Sequence, residues 1–319
     1  MTQRSKSPTQ FTSGDPTADR RADYARMFAE SGDWPAAGEL MQQALELAPQ
    51  WAAGWFRFGE YTQKAALGDA GSATAAGAYR RVLELAPDDV FGAGLRLALL
   101  GEGDAPASPP SRFIEGLFDD YADRFDIALV EKLGYSVPAE LAALVAPFSP
   151  FSTVVDLGCG TGLFGAAIRD SVTRLEGFDL SGNMLAKAQG KRIYDHLGQA
   201  DLSLASVSSG LFGEGMPRHR ADLVSAADVL MYLGSLDAVF PLVLELLSPQ
   251  GIFAFSVEDA GQAEGCVLKD SFRYAHSEVY VRTLLSRHGL VPMEIENTVI
   301  RMEAGKPVPG ILFLSRKAA

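Results

Sequence analysis

The stretch that decides the fold is VVDLGCGTGLFG at residues 154–165. Its first residues are mostly apolar and predict a buried strand, and four glycines follow within eight positions. In an open sheet of alternating strands and helices, the turn after the first strand carries the ligand. Gly158, Gly160 and Gly162 lack side chains, so a ligand can contact the backbone there. Asp156 places a carboxylate at the mouth of this turn.

Two ligands compete for such a turn. Gly160, Gly162 and Gly165 satisfy G-x-G-x-x-G, the signature of nicotinamide dinucleotide binding, although this match alone is weak. Asp156 opposes it, because a pyrophosphate would bring negative charge toward an unpaired carboxylate. S-adenosylmethionine carries a sulfonium and an ammonium and has no phosphate. An acidic turn lined by glycines therefore favours S-adenosylmethionine over NAD.

A second acid follows in the stretch GFDLSGNM. Asp179 lies 21 residues after Gly158, close to the spacing of roughly 20 residues at which a carboxylate meets ribose hydroxyls in such folds. Ser181 is predicted to cap the helix that follows. We expect Met184, on that helix, to pack against the face of the adenine ring.

A third acid, Asp201, stands with Leu202 near the end of a third predicted strand, where it can accept the adenine amino group. Each acid also has a purely structural interpretation, since Asp156 could bond turn amides and Asp179 could cap a helix. Their combination at these spacings favours a cofactor site.

Apolar runs alternate with helical patterns from residue 151 onward, which predicts an α/β fold with a parallel sheet wound on both faces, as in Rossmann-like proteins. Later, SEVYVRTLLSRHG predicts a helix closed by Gly289. Two further strand patterns joined through GKPVPG predict a hairpin added to the sheet. The strand patterns are STVVDLG, RLEGFDL, ADLVSAAD, GIFAFSVE, VPMEIENTVIRME and GILFLSRK.

An internal repeat precedes the sheet domain. MQQALELAPQ and YRRVLELAPDD end alike, with Pro49 and Pro87 separated by 38 residues. This spacing exceeds the roughly 34 residues of a tetratricopeptide unit by about four. We expect two helical hairpins and a closing helix here, and a generic helical bundle is the alternative. The alignment also pairs Ala37 with Ala75, Met41 with Tyr79, and Ala44 with Val82.

The composition marks the domain boundary. GEGDAPASPPS is typical of a linker, because proline and glycine prevent a helix from continuing. The predicted ranges are 1–19 for a disordered N-terminus, 20–100 for the repeats, 101–112 for the linker and 113–319 for the sheet domain.

Charge and cysteine content exclude several classes. The net charge of −12 and the pI of about 4.8 disfavour binding to a nucleic-acid backbone. Two cysteines offer neither a disulfide framework nor a repeated metal-ligand spacing, so no metal site is predicted. The polar start and the lack of a long apolar run lead us to expect a cytoplasmic protein that does not act at a membrane.

The motifs VVDLGCGTG, GFDLSGNM, the Ala-Asp pair at 200–201 and ADLVSAADVLMYL resemble the class I S-adenosylmethionine-dependent methyltransferases. With the repeats, the chain resembles a bacterial group of predicted methyltransferases that carry tetratricopeptide-like repeats. The resemblance implies a helix before the sheet that acts as a lid, with Tyr121 and Phe125 over the cofactor. We interpret Cys159 as a small filler. The predicted cofactor-binding residues are Asp156, Gly158, Cys159, Gly160, Gly162, Asp179, Leu180, Met184, Asp201, Leu202 and Tyr121.

Methyl transfer from a sulfonium needs a positioned nucleophile and, where necessary, a base. The candidates are Asp228, after the fourth strand, and Tyr274 and His276, in a loop that enters a helix. His276 could act as a base near neutral pH. In the structural alternative, Ser277 caps the helix, Tyr274 packs in the interior and His276 is a polar surface residue.

The acceptor is not specified by the sequence. No N-P-P-Y or D-P-P-Y follows the fourth strand, which disfavours planar amide or base nitrogens. Oxygen, nitrogen or carbon on a small molecule, a carrier-linked group or a protein remains open. The competing hypothesis is a protein-interaction module whose sheet domain binds S-adenosylmethionine without catalysis. In either case the repeats could bind a protein partner or self-associate.

Overall fold

A computed structural model describes residues 12–65, 69–122 and 134–318. The chain forms two compact units, Met1–Gly116 and Leu117–Ala319. The linker predicted at 101–112 lies just before this division, and the predicted domain ranges stay a prediction.

The first unit is helical. Asp15 and Asp33 cap the first two helices by accepting hydrogen bonds from backbone amides of the first turn. All six side chains paired by the repeat alignment are buried: Ala37, Ala75, Met41, Tyr79, Ala44 and Val82. The repeat thus places equivalent side chains in the core. The helices are α1 (Pro16–Glu30), α2 (Trp34–Leu47), α3 (Ala52–Ala65), α4 (Asp69–Leu85) and α5 (Ala93–Leu99).

The second unit alternates strands and helices, as the sequence predicts. Helix α6 (Ser111–Tyr121) crosses the division between the units. The elements that follow are α7 (Val137–Val145), β1 (Phe151–Leu157), α8 (Leu163–Ile168), β2 (Val172–Asp179), α9 (Gly182–Lys191), β3 (His196–Gln199), β4 (Ala221–Ala226), α10 (Val239–Leu246), β5 (Leu247–Asp259), β6 (Cys266–Leu268), β7 (Tyr274–His276), α11 (Glu278–Arg287), β8 (Leu290–Glu303) and β9 (Lys306–Lys317).

The sheet is mostly parallel. Its order is β3-β2-β1-β4-β5, all parallel, with β7 and then β6 continuing at the end of β5. Strand β9 pairs antiparallel with β5, and β8 pairs antiparallel with β9, which confirms the predicted hairpin. The strand order reverses between β1 and β4. A reversal of this kind opens a crevice at the carboxyl ends of the strands, where ligands bind.

Both faces of the sheet are covered by apolar side chains. Phe240 of α10 packs on one face against Phe253 and Phe255 of β5, and Ile252 of the same strand belongs to the core of the other face. Burial of each such side chain stabilises the fold by about 1.5–3 kcal/mol. Within the described residues, no helix is long and apolar enough to cross a membrane.

One local prediction is wrong. Tyr274–His276 form strand β7, which pairs with β5 and β6, and do not lie in a loop. Three residues are too few to show a strand period, so only the pairing with β5 reveals the element. The end of the segment is as expected, because the Ser277 side chain caps α11 by accepting from the Tyr280 amide at 3.2 Å.

Candidate active site

The glycine turn lies at the strand reversal. Gly158, Gly160 and Gly162 have φ values of 64°, 53° and 89°, which side chains rarely allow. A methyl group at position 158 would lie 2.4 Å from Cγ2 of Val229, which follows the end of β4 by three residues. The turn therefore requires glycine both for its backbone conformation and for the close approach of the neighbouring loop.

Asp156 lies beneath this turn and is 1% exposed. Its two carboxylate oxygens accept hydrogen bonds from Tyr194 Oη at 2.7 Å and from Ser225 Oγ at 2.8 Å. Burial raises the pKa of Asp156 to about 6, and these two bonds oppose the rise. The carboxylate thus ties β1 to β4 and to the chain before β3. Its predicted place near the methionine moiety stays a prediction.

Tyr194 is a residue that the sequence did not reveal. Added methyl groups at Gly162, Gly165 and Gly177 would each fall within 2.9 Å of its ring or hydroxyl. One phenol therefore fills the space that three glycines leave, and its hydroxyl binds Asp156. Burial and the neighbouring carboxylate raise its pKa well above the ordinary value, so the hydroxyl keeps its proton and donates it to this hydrogen bond.

Asp179 ends β2 beside the turn, as predicted. Its Oδ2 accepts from the Gly160 amide at 2.8 Å, and its Oδ1 accepts from the Ser181 amide at 2.9 Å. Burial raises the pKa of Asp179 to about 6, and the amide bonds oppose the rise. The Leu180 amide also bonds this carboxylate. A carboxylate has about four lone-pair positions, so Asp179 retains acceptor capacity for a ribose hydroxyl.

The remaining predicted cofactor residues lie around Asp179. The Leu180 carbonyl accepts from the Gln199 side chain at 2.8 Å. Ser181 caps α9, as predicted, by accepting from the Met184 amide at 3.1 Å. The Met184 side chain is fully buried on the inner side of α9, so packing against adenine stays a prediction.

Asp201 lies two residues beyond β3 and accepts from the amide and hydroxyl of Ser203 at 2.9 and 2.6 Å. Leu202 is partly buried against the core. Cys159 is buried, and burial raises the pKa of its thiol well above the ordinary value, in agreement with a small filler that is not a nucleophile.

The end of α6 lies against the carboxyl edge of the sheet. Asp119 Oδ1 accepts from Ser181 Oγ at 2.6 Å and from the Asn183 amide at 3.2 Å. Phe118 packs edge-on against Tyr232, with ring centroids 4.9 Å apart. These contacts join α6 to the turns after β2 and β4. The side chain of Tyr121 and the whole of Phe125 lie outside the described residues, so the predicted lid contacts stay predictions.

Asp228 belongs to a buried network of charged groups after β4. Its carboxylate lies 2.9 and 3.1 Å from Nη1 of Arg301, and Arg301 also binds Glu258. Arg273 binds Glu258 at 2.7 Å and also contacts Glu303. Burial raises the pKa of Asp228 to about 6, and Arg301 opposes this rise. The sequence indicated Asp228 but did not connect it to the distant Arg301.

His276 is fully buried at the end of β7. Its Nε2 lies 2.9 and 3.0 Å from the carbonyls of Leu233 and Gly234, so this nitrogen carries the proton. Burial lowers the pKa of His276, which keeps the ring neutral. Tyr274 is also buried. As placed, His276 holds the loop after β4, and its predicted role as a base stays a prediction.

Comparison with known proteins identifies the class. The chain matches the family described as "Methyltransferase domain" over residues 129–293, just over half of its 319 residues. The chain belongs to this family. Its cofactor is S-adenosylmethionine, in agreement with the acidic glycine turn, and the sheet has the Rossmann-like order of these enzymes.

Curated relatives align with part of the chain. Malonyl-[acyl-carrier protein] O-methyltransferase of Enterobacter lignolyticus is 28% identical over 144 residues, which cover 45% of this chain and 53% of that protein. Trans-aconitate 2-methyltransferase of Paracidovorax citrulli is 32% identical over 125 residues, which cover 39% and 45%. The chain spans about half the length of the curated relatives it matches.

Solved structures share the fold. The Burkholderia thailandensis 1,6-didemethyltoxoflavin-N1-methyltransferase has a TM-score of 0.50 at 18% identity, covering 68% of this chain and 94% of that one. A Haloferax volcanii methyltransferase in complex with the Trm112 activator gives the same TM-score and identity, covering 63% and 98%. At this identity the likeness shows the fold alone.

Proposed function

We propose that this protein transfers the methyl group of S-adenosylmethionine to an oxygen, nitrogen or carbon acceptor on a small molecule, a carrier-linked group or a protein. The observation that supports this most directly is Asp179 beside the glycine turn, with acceptor capacity left for a ribose hydroxyl. In a chain of this family, that arrangement suits the ribose of the cofactor and leaves the turn amides for the rest of it.

The cofactor supplies a methyl group on a cationic sulfur, which an acceptor removes in an in-line displacement. The chain's own contribution is to bind and orient. Asp179 would hold the ribose and Asp201 the adenine amino group, while the turn from Gly158 to Gly162 would line the methionine moiety. Asp156 would keep this turn in place through Tyr194 and add negative charge beneath a cationic ligand.

The acceptor would enter from the side of β4, β5 and β7. Asp228 lies at this edge, and His276 holds the loop after β4 from within the core. The named relatives act on a carrier-linked acyl group and on trans-aconitate. Such acceptors define a starting panel, although this chain covers only about half of those proteins.

Calorimetry tests the cofactor assignment. S-adenosylmethionine and NAD are titrated separately into the wild type, Asp179→Ala and, as a matched control, Asp222→Ala. The Asp222 carboxylate binds the Ser152 and Thr153 amides at the start of β1, the end of the strand opposite the turn. We expect S-adenosylmethionine alone to bind, and only Asp179→Ala to weaken it. Binding of NAD, or of neither ligand, would contradict the proposal.

A binding module is the second candidate function. Tyr24, Met27 and Phe28 are 52%, 58% and 40% exposed, at spacings that place them on one side of α1. An exposed apolar stripe on a tetratricopeptide-like repeat would suit a protein partner or self-association. Analytical ultracentrifugation of the wild type and Met27→Glu would detect self-association. Cofactor binding without methyl transfer to any fraction of an extract would favour this candidate.

A further inference from the structure

Arg301 reaches the active site through an irregularity in β8. The register of β8 on β9 shifts between Val299 and Arg301. Ile300 and Arg301 are consecutive, yet both are buried, whereas neighbours in a regular strand point to opposite faces. A bulge re-aims a side chain in this way and is common next to active sites. Here it brings the guanidinium to Asp228.

Asp228 has hydrogen-bonding capacity left over. Within the part of the chain that the structure describes, both of its carboxylate oxygens share a single nitrogen, Nη1 of Arg301, although a carboxylate offers about four lone-pair positions. The side chain is only 8% exposed, so water has little access to it. Its backbone is in the left-handed region, with φ of 54°, and its amide donates to Ser256 Oγ at 2.8 Å. The carboxylate is thus held in place but incompletely satisfied.

Asp228 also lies beside the cofactor turn. The next residue, Val229, packs on Gly158, the first glycine of the turn. Tyr232, one turn further on, contacts Phe118 of α6. A group that donates to Asp228 would therefore sit on the acceptor side of the cofactor.

We propose that Arg301 is a positioning residue, which holds Asp228 as an anionic hydrogen-bond acceptor for a methyl acceptor that presents N–H or O–H and is not a carboxylate. This inference rests on the proposed function. Arg301 is shared between Asp228 and Glu258, and Arg273 between Glu258 and Glu303, so both cations are already paired. A further carboxylate beside Asp228 would meet like-charge repulsion.

An amine or hydroxyl satisfies the free lone pairs of Asp228 without adding negative charge. Its nitrogen or oxygen gains the methyl group, and the electron pair of the broken sulfur–carbon bond stays on sulfur. The acceptor's proton passes along the hydrogen bond to Asp228, which releases it to solvent after the methylated product has left. The pKa of Asp228, raised by burial to about 6, is compatible with both its anionic form at neutral pH and this transfer.

The chemical stability of the product tests the acceptor class. The full chain is incubated with methyl-labelled S-adenosylmethionine and a bacterial extract, and separately with trans-aconitate. Products are then treated with alkali, which releases the methyl group of an ester as methanol and leaves N-methyl and ether groups intact. We expect label that stays bound in alkali and no transfer to trans-aconitate. Release of the label as methanol would overturn the inference.

The role of Arg301 is tested without knowing the acceptor. The chain is labelled with ¹³C at aspartate carboxyl carbons, and Asp228→Asn identifies the Asp228 signal. Loss of the guanidinium in Arg301→Met should raise the pKa of Asp228 by one unit or more, and Arg301→Lys should restore most of it. An unchanged titration in Arg301→Met would overturn the positioning role. Among the described residues, the other titratable groups that face Asp228 are Glu258, Arg273, Tyr232 and Tyr135.

Arg316→Met is the matched control, because Arg316 belongs to the same hairpin but packs over the Phe148 ring at 5.5 Å. It should leave the Asp228 signal unchanged.

In Arg301→Met, we expect label transfer to fall at least tenfold while the Kd for S-adenosylmethionine stays within about twofold. If the wild type does not bind S-adenosylmethionine, the proposed function itself is wrong. If the wild type binds S-adenosylmethionine but forms a methyl ester, the proposed function stands and only the inferred acceptor class is overturned.

Discussion

Three aspartates lie around the glycine turn, Asp156 fully buried and Asp179 and Asp228 partly buried. Desolvation raises the pKa of each to about 6. Without a ligand, the anionic form of such a carboxylate is poorly solvated. Positive charge or hydrogen-bond donors from a ligand therefore stabilise it. In the proposed site, the cationic cofactor and the donating groups of ribose would supply both. Cofactor binding would then depend on pH in a range where ordinary carboxylates do not titrate.

Cofactor affinity should therefore fall in mild acid. In the proposed site, the ribose hydroxyls donate to an ionised Asp179, whose pKa of about 6 lies above the ordinary 3.8. As the pH drops below 6, the protonated fraction rises, and the Kd should increase about tenfold per pH unit. Calorimetry between pH 7.5 and 5.0 measures this. Asp179→Asn should bind weakly with a flatter pH profile, and a wild-type Kd that is constant over this range would contradict the prediction.

Gly158→Ala should destabilise the fold by about 1–3 kcal/mol, because the added methyl group meets Val229 and the backbone has positive φ. Gly190→Ala is the control, since Gly190 lies in α9 with nothing within 4 Å of an added methyl group. That change should stabilise the helix by about 0.5–1 kcal/mol. Urea unfolding measures both, and equal effects would refute the steric interpretation.

Among the elements, the end of α6 is joined to the edge of the sheet through Asp119 and Phe118. The Asp119 carboxylate lies at the start of α9, where it interacts favourably with the positive end of the helix dipole. It accepts hydrogen bonds from Ser181 and Asn183. The link from Asp119 to α9 therefore holds the end of α6 beside the proposed cofactor site.

Asp119→Ala should loosen α6 and speed the dissociation of S-adenosylmethionine severalfold, because the link to α9 is lost. Hydrogen exchange of the α6 amides and stopped-flow release measure these effects. Ser277→Ala removes an N-cap at α11 instead, and it should cost about 1 kcal/mol without changing release. Identical release rates in the two variants would show that Asp119 does not hold the site closed.

In the whole molecule, every described residue assigned here to cofactor binding lies in the second unit. A chain shortened to residues 104–319 should therefore bind S-adenosylmethionine with a Kd within about threefold of the full chain, as calorimetry can measure. The helical unit would then serve another purpose, such as binding a partner. Loss of binding in a shortened chain that remains folded would show that the first unit contributes to the site.

Much of this architecture follows from local patterns. The strand of Asp156, its glycine turn, the acid at Asp179 and the cap at Ser181 lie close together in the chain, and each imposes a local preference. The repeat likewise paired Met41 with Tyr79, and both side chains are buried in the structure, because the period of a helix places equivalent residues on one face. Features that depend on one element or one turn can be predicted from the sequence alone.

The tertiary structure alone decided the rest. Tyr194 meets Asp156 across 38 residues, Asp119 meets Ser181 across 62, and Arg301 meets Asp228 across 73. No local sequence pattern predicts such partners, because each depends on which elements become neighbours in the fold. The contact of Arg301 also depends on the bulge that turns its side chain inward. For the same reason, His276 was expected in a loop and is buried in a strand: pairing with β5 overrides what three residues prefer by themselves.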